Sequence, residues 1–191
     1  MRSYLSHLSC LALLAILPDS NLLRAGTIHA TMSVAPAQPG KLNGGYYLLA
    51  HVSEEESQVQ MLFLVKDAPD EISGFGKQMS KTAHETAEAL GHLRDKYPSV
   101  HLDQNPLPPI ELDVRASIRA DKEQQLVDDT SGPEFYRAFL VTQIEAATYA
   151  SNLASVLSEQ ETNPQRVKVL RQIAAQWRAR REEAFRLLRH Y

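Results

Sequence analysis

The amino-acid sequence predicts an all-α protein in which four long helices form an up-and-down bundle, with a short extra helix in the middle connection. Four stretches repeat apolar residues every three or four positions, which places those residues on one face of a helix. No stretch shows the alternation of apolar and polar residues that is typical of strands. A hydrophobic share of 43% with 23% charged residues is ordinary globular composition. We expect one domain over residues 45–190.

The first residues have the pattern of a signal peptide. Arg2 supplies a positive charge, and the apolar residues 5–16 that follow are too few to span a bilayer. We therefore expect a signal peptide over residues 1–30, cleavage between about 30 and 37, and export to the periplasm or cell envelope. An uncleaved anchor, or translation from Met32, stays open as an alternative.

Cys10 is the only cysteine and lies inside this segment. The exported chain would therefore have no disulfide, no thiolate metal ligand and no cysteine nucleophile. The apolar run follows Cys10 instead of preceding it, which disfavours a lipid-modified cysteine. Residues 31–44 are rich in proline and glycine and are predicted to be a linker without regular structure.

The first two long helices are predicted over residues 46–65 and 69–96. Glu56 falls on the apolar face of the first, among Leu49, Val52, Val59 and Phe63. Asp67 would cap the second, with Pro69 in its first turn. Four prolines between positions 98 and 109 then predict an extended connection. A shorter helix over residues 112–127 is expected to lie across one end of the bundle.

The last two long helices are predicted over residues 133–160 and 164–189. Ser131 and Glu134 have capping-box spacing before the third. Asn163 would cap the fourth, with Pro164 at its first helical position. Arg181 interrupts the apolar stripe of the fourth helix between Trp177 and Phe185.

The charge of the chain is divided unevenly. A formal net charge of -3 disfavours a nucleic-acid-binding protein, which needs a net basic surface. After Asn163, however, only Glu182 and Glu183 are acidic, against eight basic residues: Arg166, Lys168, Arg171, Arg178, Arg180, Arg181, Arg186 and Arg189. This pattern predicts either a solvated basic helix face or docking onto an envelope protein or another anionic surface.

Three side chains on the second helix suggest a metal site. His84, Glu88 and His92 recur every four residues and would stack on one helix face. Imidazole with carboxylate suits a transition metal such as zinc, copper or iron. Because histidine and glutamate are also common on solvent-facing helices, an ordinary surface stripe without any cofactor is the alternative.

Glu56 and Arg181 form the second candidate pair, because each lies on an otherwise apolar stripe. In an up-and-down bundle, the start of the first helix and the end of the last helix share one end. Counted at about 1.5 Å per residue, the two charges would then meet at one level on neighbouring helices. We expect an interior ion pair, with Arg181 reaching the surface along its aliphatic stem as the alternative.

Two segments carry a resemblance to a known family. Residues 72–79 (Ile-Ser-Gly-Phe-Gly-Lys-Gln-Met) followed by His84, and residues 131–139 (Ser-Gly-Pro-Glu-Phe-Tyr-Arg-Ala-Phe), resemble the motifs of exported bacterial proteins of domain-of-unknown-function family 4142. The resemblance implies a ferritin-like bundle and an exported location. Further histidines of the family correspond here to Ala147 and Arg180.

No catalytic constellation is recognisable in the sequence. Di-iron bundles need Glu-x-x-His on two helices, and this chain has none. Neither Gly-x-Ser-x-Gly nor a phosphate-binding glycine loop occurs. The sequence therefore predicts an exported envelope protein that acts as a non-enzymatic binding or structural bundle, with a metal-binding or redox ferritin-like bundle as the alternative.

Overall fold

The computed structural model describes residues 39–191, and all regular structure in this range is helical. The range contains the α-helices α1 (Pro39–Glu56), α2 (Asp70–Lys96), α3 (Pro109–Gln124), α4 (Gly132–Gln160) and α5 (Pro164–Leu188). A 3₁₀ helix over Val59–Leu64 follows α1, and a π-helical turn over Gln125–Asp129 follows α3. The predicted all-α class is confirmed for these residues. The predicted signal peptide with Cys10 lies outside them, and so does Met32.

Four helices pack side by side around one apolar core. α1 contacts α2 and α4, and α5 contacts the same two helices, so α1 and α5 lie diagonally opposite each other. The core is filled by large side chains that are completely buried, among them Trp177, Phe75, Phe135 and Phe139. Within the described part of the chain, no helix is both long and apolar enough to cross a lipid bilayer.

The first and last helices of the bundle run parallel, which differs from the predicted up-and-down order. In the first half of α1 the Tyr46 hydroxyl donates to Glu161 Oε2, just beyond the end of α4, at 2.9 Å. Beyond the other end of α1 the Phe63 ring packs edge-on against Phe135 and Phe139, near the start of α4. α1 is thus antiparallel to α4. Since α5 also runs back along α4, α1 and α5 point the same way.

The path of α3 explains this order. Before α3, the backbone N–H of His101 donates to Asn43 Oδ1, near the start of α1, at 3.2 Å. Within α3, Arg119 Nη2 donates to Glu55 Oε1, near the end of α1, at 2.6 Å. α3 therefore runs along the bundle, and the expectation that it lies across one end was wrong. Its course returns the chain to the end at which α2 begins, so α4 runs parallel to α2.

α1 begins earlier than predicted. It starts at Pro39, so residues 39–44 of the predicted linker are helical. Gly44 and Gly45 permit close packing here: a Cβ on them would come within 2.8 Å of Pro106 Cβ and 2.5 Å of Leu157 Cδ2. α1 also ends at Glu56 instead of continuing to position 65.

Of the N-caps predicted for α2, α4 and α5, only that of α5 makes the expected side-chain hydrogen bonds. α2 has Pro69 as its N-cap, so Asp67 does not cap it. Ser131 is the N-cap of α4, but its side chain makes no capping hydrogen bond, and the predicted capping box does not form. Asn163 caps α5 as predicted, and its Oδ1 accepts from the backbone N–H groups of Gln165 and Arg166.

Candidate anion-binding face on the last helix

The basic residues after Asn163 divide into two sets in the structure. Four of them pair with a carboxylate: Arg166 with Glu161 at 2.9 Å, Arg180 with Glu183 at 2.7 Å, Arg181 with Glu182 at 2.8 Å, and Arg186 with Glu71 at 3.5 Å. Their charge is balanced within the protein, so they add little to the field outside it.

The other four basic residues are exposed: Lys168, Arg171, Arg178 and Arg189. None of them has an ion pair with another described residue, and Arg178 Nη2 only approaches Ser155 Oγ, at 3.5 Å. Lys168, Arg171 and Arg178 share one face of α5 and span about 15 Å at a rise of about 1.5 Å per residue. We call these three residues the basic face. Its cations are available to an anionic partner.

The rotation of α5 about its axis determines which residues form the basic face. The opposite side of the helix is buried and includes Leu170, Ile173, Trp177 and Ala184. The Trp177 ring is fully buried, and its Nε1–H donates to Thr86 Oγ1 on α2 at 3.0 Å. Since this bond orients the indole in the core, it holds the basic face towards solvent.

A buried polar cluster fixes the start of α5. Glu161 Oε1 accepts from Arg166 Nη2 at 2.9 Å and from the backbone N–H groups of Thr162 and Asn163, while Oε2 accepts from the Tyr46 hydroxyl. The Arg166 guanidinium also lies over the Tyr97 ring. Burial raises the pKa of Tyr46, and the hydrogen bond to Glu161 and the charge of that carboxylate raise it further. The cluster thus joins α1 to the turn between α4 and α5.

The predicted metal stripe is assembled only in part. His84 Nε2 lies 3.3 Å from Glu88 Oε1, and both side chains are exposed. His92 is exposed further along α2, beside a shallow groove that includes Tyr97 and Gln165. No three histidine, cysteine, aspartate or glutamate side chains within residues 39–191 lie close enough together to hold a metal ion.

The predicted interior pair of Glu56 and Arg181 stays a prediction. Glu56 is buried, with 1% of its surface exposed, as expected. The Arg181 guanidinium instead donates to Glu182 Oε1, through Nε at 3.2 Å and Nη2 at 2.8 Å. The predicted pair requires neighbouring helices, whereas α1 and α5 lie diagonally opposite each other. Residues four apart on a helix also differ in direction by about 40°. Side chains at positions 177, 181 and 185 therefore turn step by step from the core, where Trp177 is buried, to the surface, where Phe185 is exposed.

Searches with the whole sequence against family models, curated proteins and solved structures found no match. The resemblance to family 4142 therefore stays a prediction.

The sequence had shown the excess of basic residues but not which of them are neutralised. Two of the four partners, Glu182 and Glu183, are near neighbours in the sequence. The other two, Glu161 and Glu71, reach α5 from the preceding turn and from α2. Tyr46 in the first half of α1 was likewise not predicted to join the cluster around Glu161. The only sequence signal for this cluster is an acidic residue, Glu161, just before the helix start at Asn163 and Pro164.

Proposed function

We propose that this chain is an exported envelope protein that acts by binding, and that the basic face of α5 docks onto an acidic protein surface. The single observation that carries the proposal is the row of three exposed cations on α5. Within residues 39–191 these three have no carboxylate partner, whereas the other arginines of the helix are paired. The row is rigid because Trp177 and the Asn163 cap hold the helix. A fixed row of charges suits a partner with carboxylates at matching positions.

The connection from α2 to α4 supports a ferritin-like fold. This connection contains α3 and follows the length of the bundle, and a long crossover of this kind is typical of ferritin-like topologies. Under this proposal the chain is related to family 4142 in fold. Its function would depend on its surface, since Ala147 and Arg180 stand where the family has histidines.

A metal-binding or redox bundle is the second candidate function, and the contact between His84 and Glu88 favours it. Two ligands one turn apart on a helix are half of a tetrahedral site. A second protein or a second copy of the chain would have to supply the remaining ligands.

The basic face can be tested with a labelled poly-glutamate peptide as a model of an acidic protein surface. We expect the chain from residue 38 onwards to bind it at low salt, and binding to weaken as salt is added. Arg171→Gln with Arg178→Gln should weaken binding about five- to tenfold, because each exposed ion pair contributes about 0.5 to 0.7 kcal/mol. The measurement is fluorescence anisotropy.

Arg180→Gln with Arg181→Gln is the matched control. It lowers the net charge by the same two units, but it removes arginines that are already paired with Glu183 and Glu182. Equal weakening by both double variants would show that net charge alone matters and would overturn the proposal. Stoichiometric zinc, copper or iron in the purified protein, lost on His84→Ala, would favour the second candidate instead.

A further inference from the structure

Exposed apolar side chains cluster at the turn between α1 and α2, at the opposite end of the bundle from Tyr46. Leu64 is 74% exposed and Val65 is 53% exposed, and Met61 beside them is also exposed. We call these three residues the apolar turn. Exposed apolar side chains that lie together and are rimmed by polar residues are typical of a contact surface.

The apolar turn is held in place by two neighbouring side chains, Phe63 and Leu62, that pack towards the core. Phe63 lies between its members and packs edge-on against Phe135 and Phe139. On the α2 side the Phe63 ring lies directly against Gly76, where any larger residue would collide with it. Leu62 is buried in the core. The exposed side chains are therefore presented by a segment that is anchored on both sides.

Lysines border the apolar turn. A groove of about 510 Å³ beside it is lined by Lys66, Asp67 and Lys77 together with Met61 and Leu64. A second groove of about 370 Å³ continues from it, sharing Gln60 and Lys77, and is lined by Lys81 and His84.

The charges at this border are mostly positive. Lys77 is exposed and makes no ion pair with any residue that the structure describes, and the Lys81 Nζ lies 3.9 Å from Glu85. Lys66 donates to the Thr130 carbonyl and lies over the Phe135 ring. Asp67 is the carboxylate that lines the first groove.

We propose that the apolar turn and its lysines form a membrane-contact site whose partner is the surface of an anionic phospholipid bilayer. Leu64, Val65 and Met61 enter the boundary between headgroups and acyl chains, while Lys77 and Lys81 meet lipid phosphates. Apolar insertion combined with basic residues at the headgroup level is how peripheral proteins bind anionic membranes. The high exposure of Leu64 favours a bilayer, because a side chain that projects from the surface inserts more readily than it fills a cleft. This inference does not depend on the basic face of α5.

Sedimentation with vesicles tests the site. Vesicles containing about one third phosphatidylglycerol should bind the protein, and neutral phosphatidylcholine vesicles should bind it at least tenfold more weakly. Leu64→Ser with Val65→Ser should weaken binding to the anionic vesicles about tenfold or more, because both side chains lose their apolar insertion. Lys77→Gln with Lys81→Gln should weaken it about thirtyfold, because each lysine loses its attraction to the anionic surface.

Ile110→Ser with Val114→Ser is the matched control. These residues of α3 are also exposed, at 70% and 45%, and the chemical change is of the same kind. Binding that survives in the control and falls in the Leu64 and Val65 variant supports the site. Equal loss in both, or loss only with Arg171→Gln and Arg178→Gln, would overturn it.

A fluorescent variant gives a second measurement. Trp177 is the only tryptophan and is fully buried, so Leu64→Trp adds an indole whose emission can be distinguished from it. Vesicles with brominated acyl chains should quench the added indole and leave the Trp177 emission of the parent chain unchanged. If the Leu64→Trp protein binds the vesicles but its added indole is not quenched, the turn lies outside the bilayer and the proposal is contradicted.

Discussion

At the scale of single residues, the Tyr46 hydroxyl links α1 to Glu161, in the turn that precedes α5, by a buried hydrogen bond. We expect Tyr46→Phe to lower the free energy of unfolding by about 1 to 2 kcal/mol, because a buried hydrogen bond to a charged carboxylate is lost. Urea denaturation followed by circular dichroism at neutral pH measures this. Tyr47→Phe is the matched control, since Tyr47 is only half-buried and its ring stacks on His51. A similar loss in both variants would contradict the role of Tyr46.

The same hydroxyl makes stability depend on pH at the alkaline end. Burial and Glu161 raise the pKa of Tyr46 in the folded protein above its unfolded value of about 10. The folded state therefore favours the neutral phenol. Its contribution is complete below about pH 10 and is lost as the pH rises from there towards the folded pKa. In the Tyr46→Phe protein the free energy of unfolding should therefore fall less steeply above about pH 10. In the Tyr47→Phe protein it should fall as steeply as in the parent chain.

At the scale of helices, the attachment of α3 differs from that of every bundle helix. No residue of α3 is buried. Its inner side is joined to the bundle through charges: Arg119 pairs with Glu55, Lys122 pairs with Glu145 at 2.7 Å, and the Arg115 guanidinium lies over the Tyr149 ring. Burial raises the pKa of Glu55, while His51, Arg119 and Arg115 act in the opposite direction. These neighbours offset part of the effect of burial on the Glu55 carboxylate.

We expect the amides of α3 to exchange with deuterium much faster than those of α4. Raising NaCl from about 0.1 M to about 1 M shortens the screening length from about 10 Å to about 3 Å and should speed exchange in α3 further. Arg119→Gln should have the same effect without salt. Arg94→Gln is the control, because Arg94 pairs with exposed Asp95 on α2. Slow exchange in α3 that does not respond to salt would contradict an attachment by ion pairs.

The sequence predicted the helices that follow apolar periodicity and missed the features that depend on contacts between distant segments. α2, α4 and α5 begin and end close to their predicted positions because their stripes face the core. The start of α1 was missed because Gly44 and Gly45 resemble helix breakers, although here they admit Pro106 and Leu157. α3 could not be oriented from its apolar residues, because Ile110 and Val114 are exposed and its inner side carries Arg115 and Arg119.

For the candidate site, the composition of α5 predicted an excess of positive charge but not where that charge is accessible. The accessible part is set by Glu182 and Glu183 on α5 itself and by Glu161 and Glu71, which reach α5 from other segments. The predicted pair of Glu56 and Arg181 depends on a similar feature: the heights of the two residues could be counted from the sequence, whereas the diagonal arrangement of α1 and α5 could not.

At the scale of the whole molecule, the described domain begins just after the predicted signal peptide. Cleavage between about 30 and 37 would leave α1, which starts at Pro39, intact. The exported product would then contain every helix described above. This makes export a property that can be tested separately from the stability of the bundle.

We predict that residues 1–38 direct export. Fused to an alkaline phosphatase that is active only outside the cytoplasm, they should give phosphatase activity, because the apolar run of residues 5–16 engages the export machinery. Leu13→Arg with Leu14→Arg should abolish that activity by placing charges in the run, and a fusion that starts at Met32 should be inactive. Mass spectrometry of the exported full chain should find its N-terminus between about 30 and 37. An inactive fusion of residues 1–38, together with a stable protein starting at Met32, would instead indicate a cytoplasmic protein, and the acidic partner would then have to be sought there.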